Sequence, residues 1–258
     1  MTDRVTLITG ASSGIGAEFA RIFSSNGCKT VLVARREDRL NQLADEIAAT
    51  GKARPLTISC DLKAPGAGDV VADKLKAMNA EVETVVNNAG FGLFGNAIEL
   101  DRAEQLAMVD INVRVLTDLS LRFSDSLIRN KGGMLNVASI ASFLPGPRMA
   151  VYYATKAYVL SFTEAMRGEL GPKGVRVTAL CPGPVPTEFQ NRAGFQAGLD
   201  SAILSVSAAA VARAGYRGLM NNKRVVLPGV GVRMIPFLLR FAPRSLVLAS
   251  VARVQQKR

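Results

Sequence analysis

The sequence predicts an α/β protein with a doubly wound parallel sheet of about seven strands, in a single domain over residues 1–258. Short apolar runs alternate with longer stretches of helical composition, which is typical of strands buried under helices on both faces of a parallel sheet. The chain has 258 residues, of which 48% are hydrophobic, so it can bury one sizeable core. A glycine-rich turn joins the first predicted strand to the first predicted helix, where the chain must reverse sharply.

The individual elements follow from apolar periodicity and residue composition. Strands are predicted at Val5–Thr9, Lys29–Ala34, Ala53–Ser59, Val82–Asn87, Met134–Ala138, Val175–Cys181 and Arg224–Leu227. Helices are predicted at Ala17–Ser25, Glu37–Ala49, Asp69–Met78, Asp101–Arg129 and Val151–Leu170. In such sheets ligands bind beyond the carboxyl ends of the strands. The residues at those ends are Gly10, Ala34, Asp61, Asn88, Ser139 and Pro182.

The glycine-rich turn is predicted to bind a dinucleotide. Glycines let the backbone approach a pyrophosphate closely, and the start of the following helix offers free N–H groups and a partial positive charge. The strand before the turn and the helix after it supply the context that this interpretation requires. The residues expected to contact the cofactor here are Gly10, Ser12, Ser13, Gly14, Ile15 and Gly16.

Tyr152 and Lys156 are the residues most suited to chemistry. They lie one turn apart in a predicted helix, so both side chains can point into the same space. An ammonium group favours a neighbouring phenolate, and we therefore expect it to lower the pKa of Tyr152 from about 10. The chain has no histidine, so a tuned phenol would serve as the general acid–base group. The alternative is a packed ring beside a solvated amine.

Five motifs in this order resemble those of the short-chain dehydrogenase/reductase family. They are Thr9-Gly10-(x)3-Gly14-x-Gly16, Asn87-Asn88-Ala89-Gly90, a serine at Ser139, Tyr152-(x)3-Lys156 and Pro182-Gly183. The resemblance is greatest to the NAD(P)-dependent oxidoreductases of similar length, and it runs from about residue 3 to residue 187. It implies a Rossmann-like fold and hydride transfer between a nicotinamide and a carbonyl carbon. Beyond residue 187 the chain is similar to the family only in outline.

The resemblance also implies roles for individual residues. Ser139 would donate a hydrogen bond to the substrate carbonyl, Tyr152 would give its oxygen a proton, and Lys156 would bind the nicotinamide ribose. Asn112 would hold a helix bend and a water that links Lys156 to solvent, although an asparagine inside a helix more often has a structural role. The remaining implied cofactor contacts are Asp61, Leu62, Asn88, Ala89, Gly90, Pro182, Gly183, Val185 and Thr187.

The end of the second strand favours NADPH over NADH. An acidic residue there would accept hydrogen bonds from the adenosine ribose, but the sequence has Ala34-Arg35-Arg36. An arginine fork suits a phosphate. Arg35 is therefore predicted to bind the 2′-phosphate of NADP(H), with Ser12 and Arg36 as further candidate contacts. The alternative is that the two arginines form a solvated helix start.

The substrate is expected to be lipophilic. A lid is predicted over about residues 188–205, and it carries Phe189, Phe195, Leu199, Ile203 and Leu204. Other apolar residues in loops at the same sheet edge are Phe91, Leu93, Phe94, Phe143 and Leu144. Core packing would explain them about as well. The expected substrate is a ketone, an aldehyde or a 3-oxoacyl group, with the reverse alcohol oxidation using the same residues.

Positive charge is concentrated in the basic, apolar C-terminal segment, about residues 231–258. The net charge of +11 arises entirely after residue 150, and from Ser201 to Arg258 there are ten Lys/Arg and no Asp or Glu. The segment interleaves arginines with apolar residues and should break at Pro236 and Pro243. It could lie on an anionic membrane, cover the substrate pocket or a subunit interface, or attract an acyl carrier or coenzyme A thioester.

Other classes of protein are less well supported. Three widely spaced cysteines and no histidine give neither a disulfide framework nor a metal pattern, and they fit a cytoplasmic protein. No nucleic-acid recognition motif accompanies the charge. No membrane-spanning run or signal peptide is apparent. The resemblance implies a homo-oligomer, a dimer or tetramer. The alternative function is a catalytically silent dinucleotide-binding sensor or scaffold.

Overall fold

The structure is a computed structural model that describes residues 2–194 and 205–256. Its seven strands form one parallel sheet in the order β3-β2-β1-β4-β5-β6-β7. The strands are β1 Asp3–Thr9, β2 Thr30–Ala34, β3 Leu56–Ser59, β4 Ala80–Asn87, β5 Gly133–Val137, β6 Arg176–Leu180 and β7 Val225–Val226. The chain order reverses between β1 and β4, which is the crevice where ligands bind in doubly wound sheets. The predicted fold class is confirmed.

Helices cover both faces of the sheet. In chain order they are α1 Gly14–Ser25, α2 Glu37–Ala49, α3 Ala67–Ala77, α4 Arg102–Val109, α5 Val115–Arg122, α6 Ser124–Arg129, α7 Ala150–Leu170, α8 Glu188–Ala193, α9 Ala208–Met220, α10 Val230–Leu239 and α11 Arg244–Gln256. Strands β2 and β5 are buried along their whole length, because helices pack on both of their faces. One core cluster, around Leu7 and Leu119, lies on one face, and another, around Ile8 and Phe19, lies on the other.

The helical stretch predicted over about Asp101–Arg129 is present, but it is not one regular helix. The structure divides it into α4, a π-helical turn at Asp110–Arg114, α5 and α6. The turn contains Asn112, whose side chain bonds to groups outside its own helix. A polar side chain that competes for backbone partners disfavours a regular helix, and single π-helical turns are frequent at functional sites.

The predicted break at Pro236 is also wrong, because α10 runs through this residue from Val230 to Leu239. The break predicted at Pro243 is confirmed: α10 ends before it, and α11 begins at Arg244. Proline is tolerated at a helix start since its missing N–H would be unpaired there anyway. Within the described residues, no helix has the length and apolar character needed to cross a bilayer.

Helix α8 forms the start of the predicted lid. Residues 195–204, which include Phe195, Leu199, Ile203 and Leu204, lie outside the described residues.

Candidate active site

A cleft of about 730 Å³ opens at the carboxyl edge of the sheet, over the point where β1 and β4 meet. It brings together nearly every residue predicted to bind the cofactor or act in catalysis. Those that line it are Gly10, Ser12, Ser13, Gly14, Ile15, Arg35, Arg36, Asp61, Leu62, Asn88, Ala89, Gly90, Ser139, Tyr152, Lys156, Pro182, Gly183, Val185 and Thr187. Gly16 and Asn112 do not line the cleft themselves. Gly16 packs against the Gly10 carbonyl, and Asn112 bonds to the backbone of Phe91, and both Gly10 and Phe91 line the cleft.

The glycine-rich turn presents the N-terminus of α1 to the cleft. Ser13 occupies the N-cap position, but its side chain makes no capping hydrogen bond to the helix. A Cβ atom at Gly16 would collide with the carbonyl oxygen of Gly10, so only glycine lets α1 begin this close to β1. Unpaired N–H groups at a helix start form a ready anion site. The turn therefore fits a pyrophosphate.

Thr9 fixes the loop that follows β4. Its Oγ1 accepts hydrogen bonds from the backbone N–H groups of Asn88 and Ala89, both at 3.0 Å. The Asn88 side chain in turn donates to the Thr9 carbonyl at 2.9 Å. Sequence reasoning placed Thr9 in the glycine motif and gave it no role of its own. In the structure, Thr9 joins the glycine-rich turn after β1 to the loop after β4.

Ser139 and Tyr152 face each other at the far end of the cleft. Ser139 follows β5 and caps the next short turn, accepting at 3.1 Å from the Ala141 N–H. The Tyr152 phenol lies near enough to Ser139 for the serine side chain to lower its pKa, and its ring packs against Phe189 of α8 with centroids 5.4 Å apart. The serine hydroxyl and the phenol are thus aimed at one point.

Lys156 is buried one turn further along α7. Its Nζ donates at 2.8 Å to the Val137 carbonyl oxygen and lies 5.8 Å from the centroid of the Tyr152 ring. Burial lowers the pKa of Lys156 to about 8, because removal from water disfavours the charged form. The ammonium is therefore held at the back of the cleft by the end of β5.

The prediction that the pKa of Tyr152 is lowered is wrong, because the groups of the protein itself raise it. Burial raises the pKa of Tyr152 to about 12, and the Ser139 side chain offsets only part of this effect. The hydrogen bond between Lys156 and Val137 explains why: the ammonium is bound to the strand end and not to the phenol oxygen. A further positive charge or hydrogen-bond donor in the cleft would lower this pKa.

Asn112 locks the loop after β4 to α7. Its Oδ1 accepts from the Phe91 N–H at 3.1 Å, and its Nδ2 donates to the Phe91 carbonyl at 3.0 Å and to Thr155 Oγ1 at 3.1 Å. A Cβ atom at Gly90 would lie 2.8 Å from Asn112 Oδ1 and 3.6 Å from Lys156 Nζ. The absent side chain of Gly90 is what lets the asparagine and the lysine approach one another.

Arg36, more than Arg35, is bound to the glycine-rich turn. Its guanidinium donates to Ser12 Oγ and Ser13 Oγ, each at 3.1 Å, and to Glu188 Oε2 at 2.8 Å. Arg39 binds the other carboxylate oxygen of Glu188 at 2.6 Å. These arginines hold the pKa of Glu188 down at about 2. Arg35 is exposed at the edge of the cleft.

No sequence signal pointed to Glu188, because its arginine partners are about 150 residues away along the chain. The same applies to Met149, which lines the cleft beside Tyr152. Of the predicted apolar substrate contacts, Phe91 and Phe189 line the cleft. Phe143 and Leu144 line a separate groove between α7 and the C-terminal helices, and Leu93 and Phe94 line neither.

A parallel sheet with a glycine-rich turn at its switch point, and a serine, a tyrosine and a lysine in the same cleft, defines a dinucleotide-dependent oxidoreductase. The sequence profile described as short chain dehydrogenase matches residues 4–196. The chain belongs to the short-chain dehydrogenase/reductase family, and the predicted resemblance is confirmed.

Relatives and solved structures agree with this membership. Sulfoacetaldehyde reductase 2 of Chromohalobacter salexigens is 38% identical over 188 residues, which cover 72% of this chain and 74% of that protein. A short-chain dehydrogenase from Sphingobium yanoikuyae in complex with NADPH superposes with a TM-score of 0.82 at 29% identity, covering 95% of this chain and 94% of that one. The bulky-bulky ketone specific alcohol dehydrogenase from Comamonas testosteroni superposes with a TM-score of 0.78 at 27% identity, covering the same shares.

Proposed function

We propose that the protein is an NADPH-dependent reductase of a lipophilic ketone, aldehyde or 3-oxoacyl group, or catalyses the reverse alcohol oxidation. The observation that carries the proposal is the meeting of Ser139 and Tyr152 in one cleft with the glycine-rich turn. When bound, the nicotinamide supplies a hydride to the carbonyl carbon. The chain's own groups would orient the carbonyl and deliver the proton.

Each polar group has a separate task in this mechanism. Ser139 Oγ donates a hydrogen bond to the carbonyl oxygen and holds it beside the phenol. Tyr152 Oη transfers its proton to that oxygen as negative charge develops there. Lys156 holds the nicotinamide ribose and is positioned at the strand end by the Val137 carbonyl. Asn112 holds the Phe91 backbone and Thr155 in place beside the lysine, and it would position a water that links Lys156 to solvent.

The residues that line the cleft fit NADP(H). The open N-terminus of α1 suits the pyrophosphate. Arg35 and Arg36 border the cleft where β2 ends, and arginine forks bind phosphate strongly. No acidic side chain ends β2 to bind a ribose 2′-hydroxyl. Solved relatives in complex with NADPH or NADP support the same choice.

A lipophilic substrate is favoured over an acidic one. Phe91, Met149 and Phe189 surround Tyr152 at the substrate end. Among the described residues that line the cleft, the cations are Arg35, Arg36 and Lys156. The arginines lie at the nucleotide end, so the described side chains beside Phe91 offer no basic partner to a sulfonate such as that of sulfoacetaldehyde. Sulfoacetaldehyde reduction, the activity in the name of the relative from Chromohalobacter salexigens, is therefore not the activity that we propose.

Assembly and location extend the proposal. Exposed apolar side chains on α4, α5 and α7, among them Leu106, Leu121 and Tyr158, support a homo-oligomer, a dimer or tetramer, formed through these helices. Free cysteines at positions 28, 60 and 181 support a cytoplasmic protein. A silent sensor would need the glycine-rich turn but not Ser139, Tyr152 and Lys156, and all three share the cleft.

The decisive experiment compares Tyr152→Phe with its neighbour Tyr153→Phe. Loss of the Tyr152 hydroxyl should lower kcat by about 10²–10⁴-fold, the usual contribution of a general acid, while NADPH still binds. Tyr153→Phe should retain most of the activity, since residue 153 has Ala157 and no lysine one turn further on. NADPH oxidation over ketones, aldehydes, acyl thioesters and steroids supplies the assay. Full turnover by Tyr152→Phe would remove the phenol as the acid.

A further inference from the structure

The C-terminal helix pair, α10 and α11, leaves an apolar face in solvent. Phe237 is 54% exposed, Leu238 58%, Phe241 75% and Leu246 61%. Met234, Phe237 and Leu238 have the spacing of one face of α10, and Phe241 follows in the turn after the helix. The rings of Phe237 and Phe241 pack edge to face on each other with centroids 5.5 Å apart. A contiguous exposed patch of this kind marks an interaction surface and not ordinary scatter.

Specific contacts attach the pair to the body of the protein. Val232 of α10 and Gln255 of α11 are buried. Gln255 donates at 2.8 Å to the Tyr153 hydroxyl, and its carbonyl accepts at 2.8 Å from Arg148 Nη1. These contacts fix the orientation of the pair while its outer apolar face stays uncovered. The face is therefore held in place by the fold and available to a partner.

Arginines frame the apolar face. Arg233, Arg240, Arg244 and Arg253 are exposed, and within the described part of the chain none of them forms an ion pair. Arg233 lies on α10 four residues before Phe237, and Arg240 caps the end of the helix three residues after it. The sequence has no Asp or Glu after Asp200, so no carboxylate of this segment neutralises the arginines. A complementary partner would have an apolar interior to cover the exposed side chains and negative charge at its boundary to pair with the arginines.

We propose that α10 and α11 dock the protein on an anionic lipid bilayer, lying in the plane of the interface. An interfacial helix buries its apolar face about 5–10 Å into the boundary between headgroups and acyl chains. Phe237 and Phe241 would enter that boundary, and Arg240 and Arg244 would bind the phosphates of anionic headgroups. A second copy of the chain fits less well, because a symmetric contact would place one arginine-rich surface without carboxylates against another.

Vesicle sedimentation tests the proposal with the full-length protein. The probes are vesicles of phosphatidylcholine alone and of phosphatidylcholine mixed with phosphatidylglycerol. The wild-type protein should pellet with the anionic vesicles, remain in the supernatant with the neutral ones, and be released by salt, which screens the attraction. Each arginine near an anionic surface is worth up to about fivefold in partitioning. Arg240→Gln with Arg244→Gln should therefore lower the pelleted fraction strongly, and Phe241→Ser should lower it as well.

Matched variants elsewhere on the surface serve as controls. Arg4→Gln with Arg102→Gln removes two exposed arginines, and Ile98→Ser removes an apolar side chain that is 96% exposed. All of these variants should oxidise NADPH as the wild type does, which shows that they fold. Equal pelleting on both kinds of vesicle, none on either, or equal losses in the controls would overturn the proposal. If Phe241→Ser instead splits an oligomer while vesicle binding is absent, the face is a subunit interface and the proposal is wrong.

Discussion

The guanidinium of Arg36 meets the carboxylate of Glu188 across the mouth of the cleft, with 2.8 Å between Nη2 and Oε2. The pair joins the turn after β2 to helix α8, and Arg39 binds the same carboxylate from the next turn of α2. Since Arg36 also binds Ser12 and Ser13, a phosphate at this corner competes with Glu188 for the same guanidinium.

Glu188→Gln should tighten NADPH and leave NADH unchanged. The variant frees Arg36 for the 2′-phosphate and removes a negative charge beside it, and exposed ion pairs are worth up to about 1 kcal/mol. The ratio of the NADH Kd to the NADPH Kd should therefore rise about two- to fivefold in a fluorescence titration. Glu46→Gln, which removes the similar exposed partner of Arg21, should leave the ratio unchanged. Weaker NADPH binding by Glu188→Gln would mean that the carboxylate supports the cofactor.

Arg35→Asp should shift the cofactor preference towards NADH. A charged hydrogen bond contributes about 1.5–3 kcal/mol, so the ratio of kcat/KM with NADPH to that with NADH should fall about 10- to 100-fold. Arg36→Ser, measured in parallel, shows how the two arginines share the phosphate. Arg102→Asp places the same charge change on α4, outside the cleft. An unchanged ratio in both Arg35→Asp and Arg36→Ser would remove the arginines as the 2′-phosphate site.

Gly90→Ala should impair catalysis, whereas Gly168→Ala should not. A methyl group at residue 90 would press on Asn112 Oδ1 at 2.8 Å and lie 3.6 Å from Lys156 Nζ, and displacing either atom disturbs the active site. We expect kcat to fall at least about 100-fold, as for small misplacements of catalytic groups. Gly168 lies in α7 with open space around its Cα, and alanine there should stabilise the protein by about 0.5–1 kcal/mol. Steady-state kinetics and urea unfolding measure the two effects, and normal kcat for Gly90→Ala would contradict this packing argument.

The buried ammonium of Lys156 should make stability depend on pH. Its pKa is about 8 in the folded protein, below the value of 10.5 for an exposed lysine. Between these two values the unfolded chain binds the proton that the folded chain has released, so the free energy of unfolding rises with pH. The rise should be on the order of 2 kcal/mol between pH 8 and about pH 10. Above about pH 10 the raised pKa of Tyr152 acts in the opposite direction.

Lys156→Met should abolish this rise, and Lys173→Met, at an exposed lysine, should preserve it. Urea denaturation at a series of pH values gives both curves. If the difference between wild type and Lys156→Met does not change with pH, the amine is not desolvated in the folded protein.

Local sequence patterns were enough to predict the sheet and most of the cleft. The strands are short apolar runs. Because they are parallel, the residues that follow them all lie at the carboxyl edge of the sheet. The motif around Gly10 and the pair Tyr152 and Lys156 could be placed on this edge from spacing alone. The family resemblance supplied Ser139 and Asn112, and the structure puts both beside the pair.

What could not be predicted depends on contacts between distant segments. The π-helical turn at Asn112 follows from hydrogen bonds to Phe91 and Thr155, which no local propensity encodes. The Tyr152 pKa was misjudged because the sequence shows the neighbouring lysine but neither the degree of burial nor the Val137 carbonyl that holds the amine. Glu188 lacked any signal for the same reason.

Tyr153 connects the outer helix α11 to the chemistry. Its hydroxyl is held by Gln255, its ring packs on the edge of Tyr152 with centroids 6.1 Å apart, and it borders both the cleft and the groove under the helix pair. A shift of α11 on docking would therefore reach the phenol through two contacts, Gln255 with Tyr153 and Tyr153 with Tyr152. Such an enzyme would obey surface-dilution kinetics: its turnover would follow the lipid area offered to it, and detergent that spreads the same substrate more thinly would slow it.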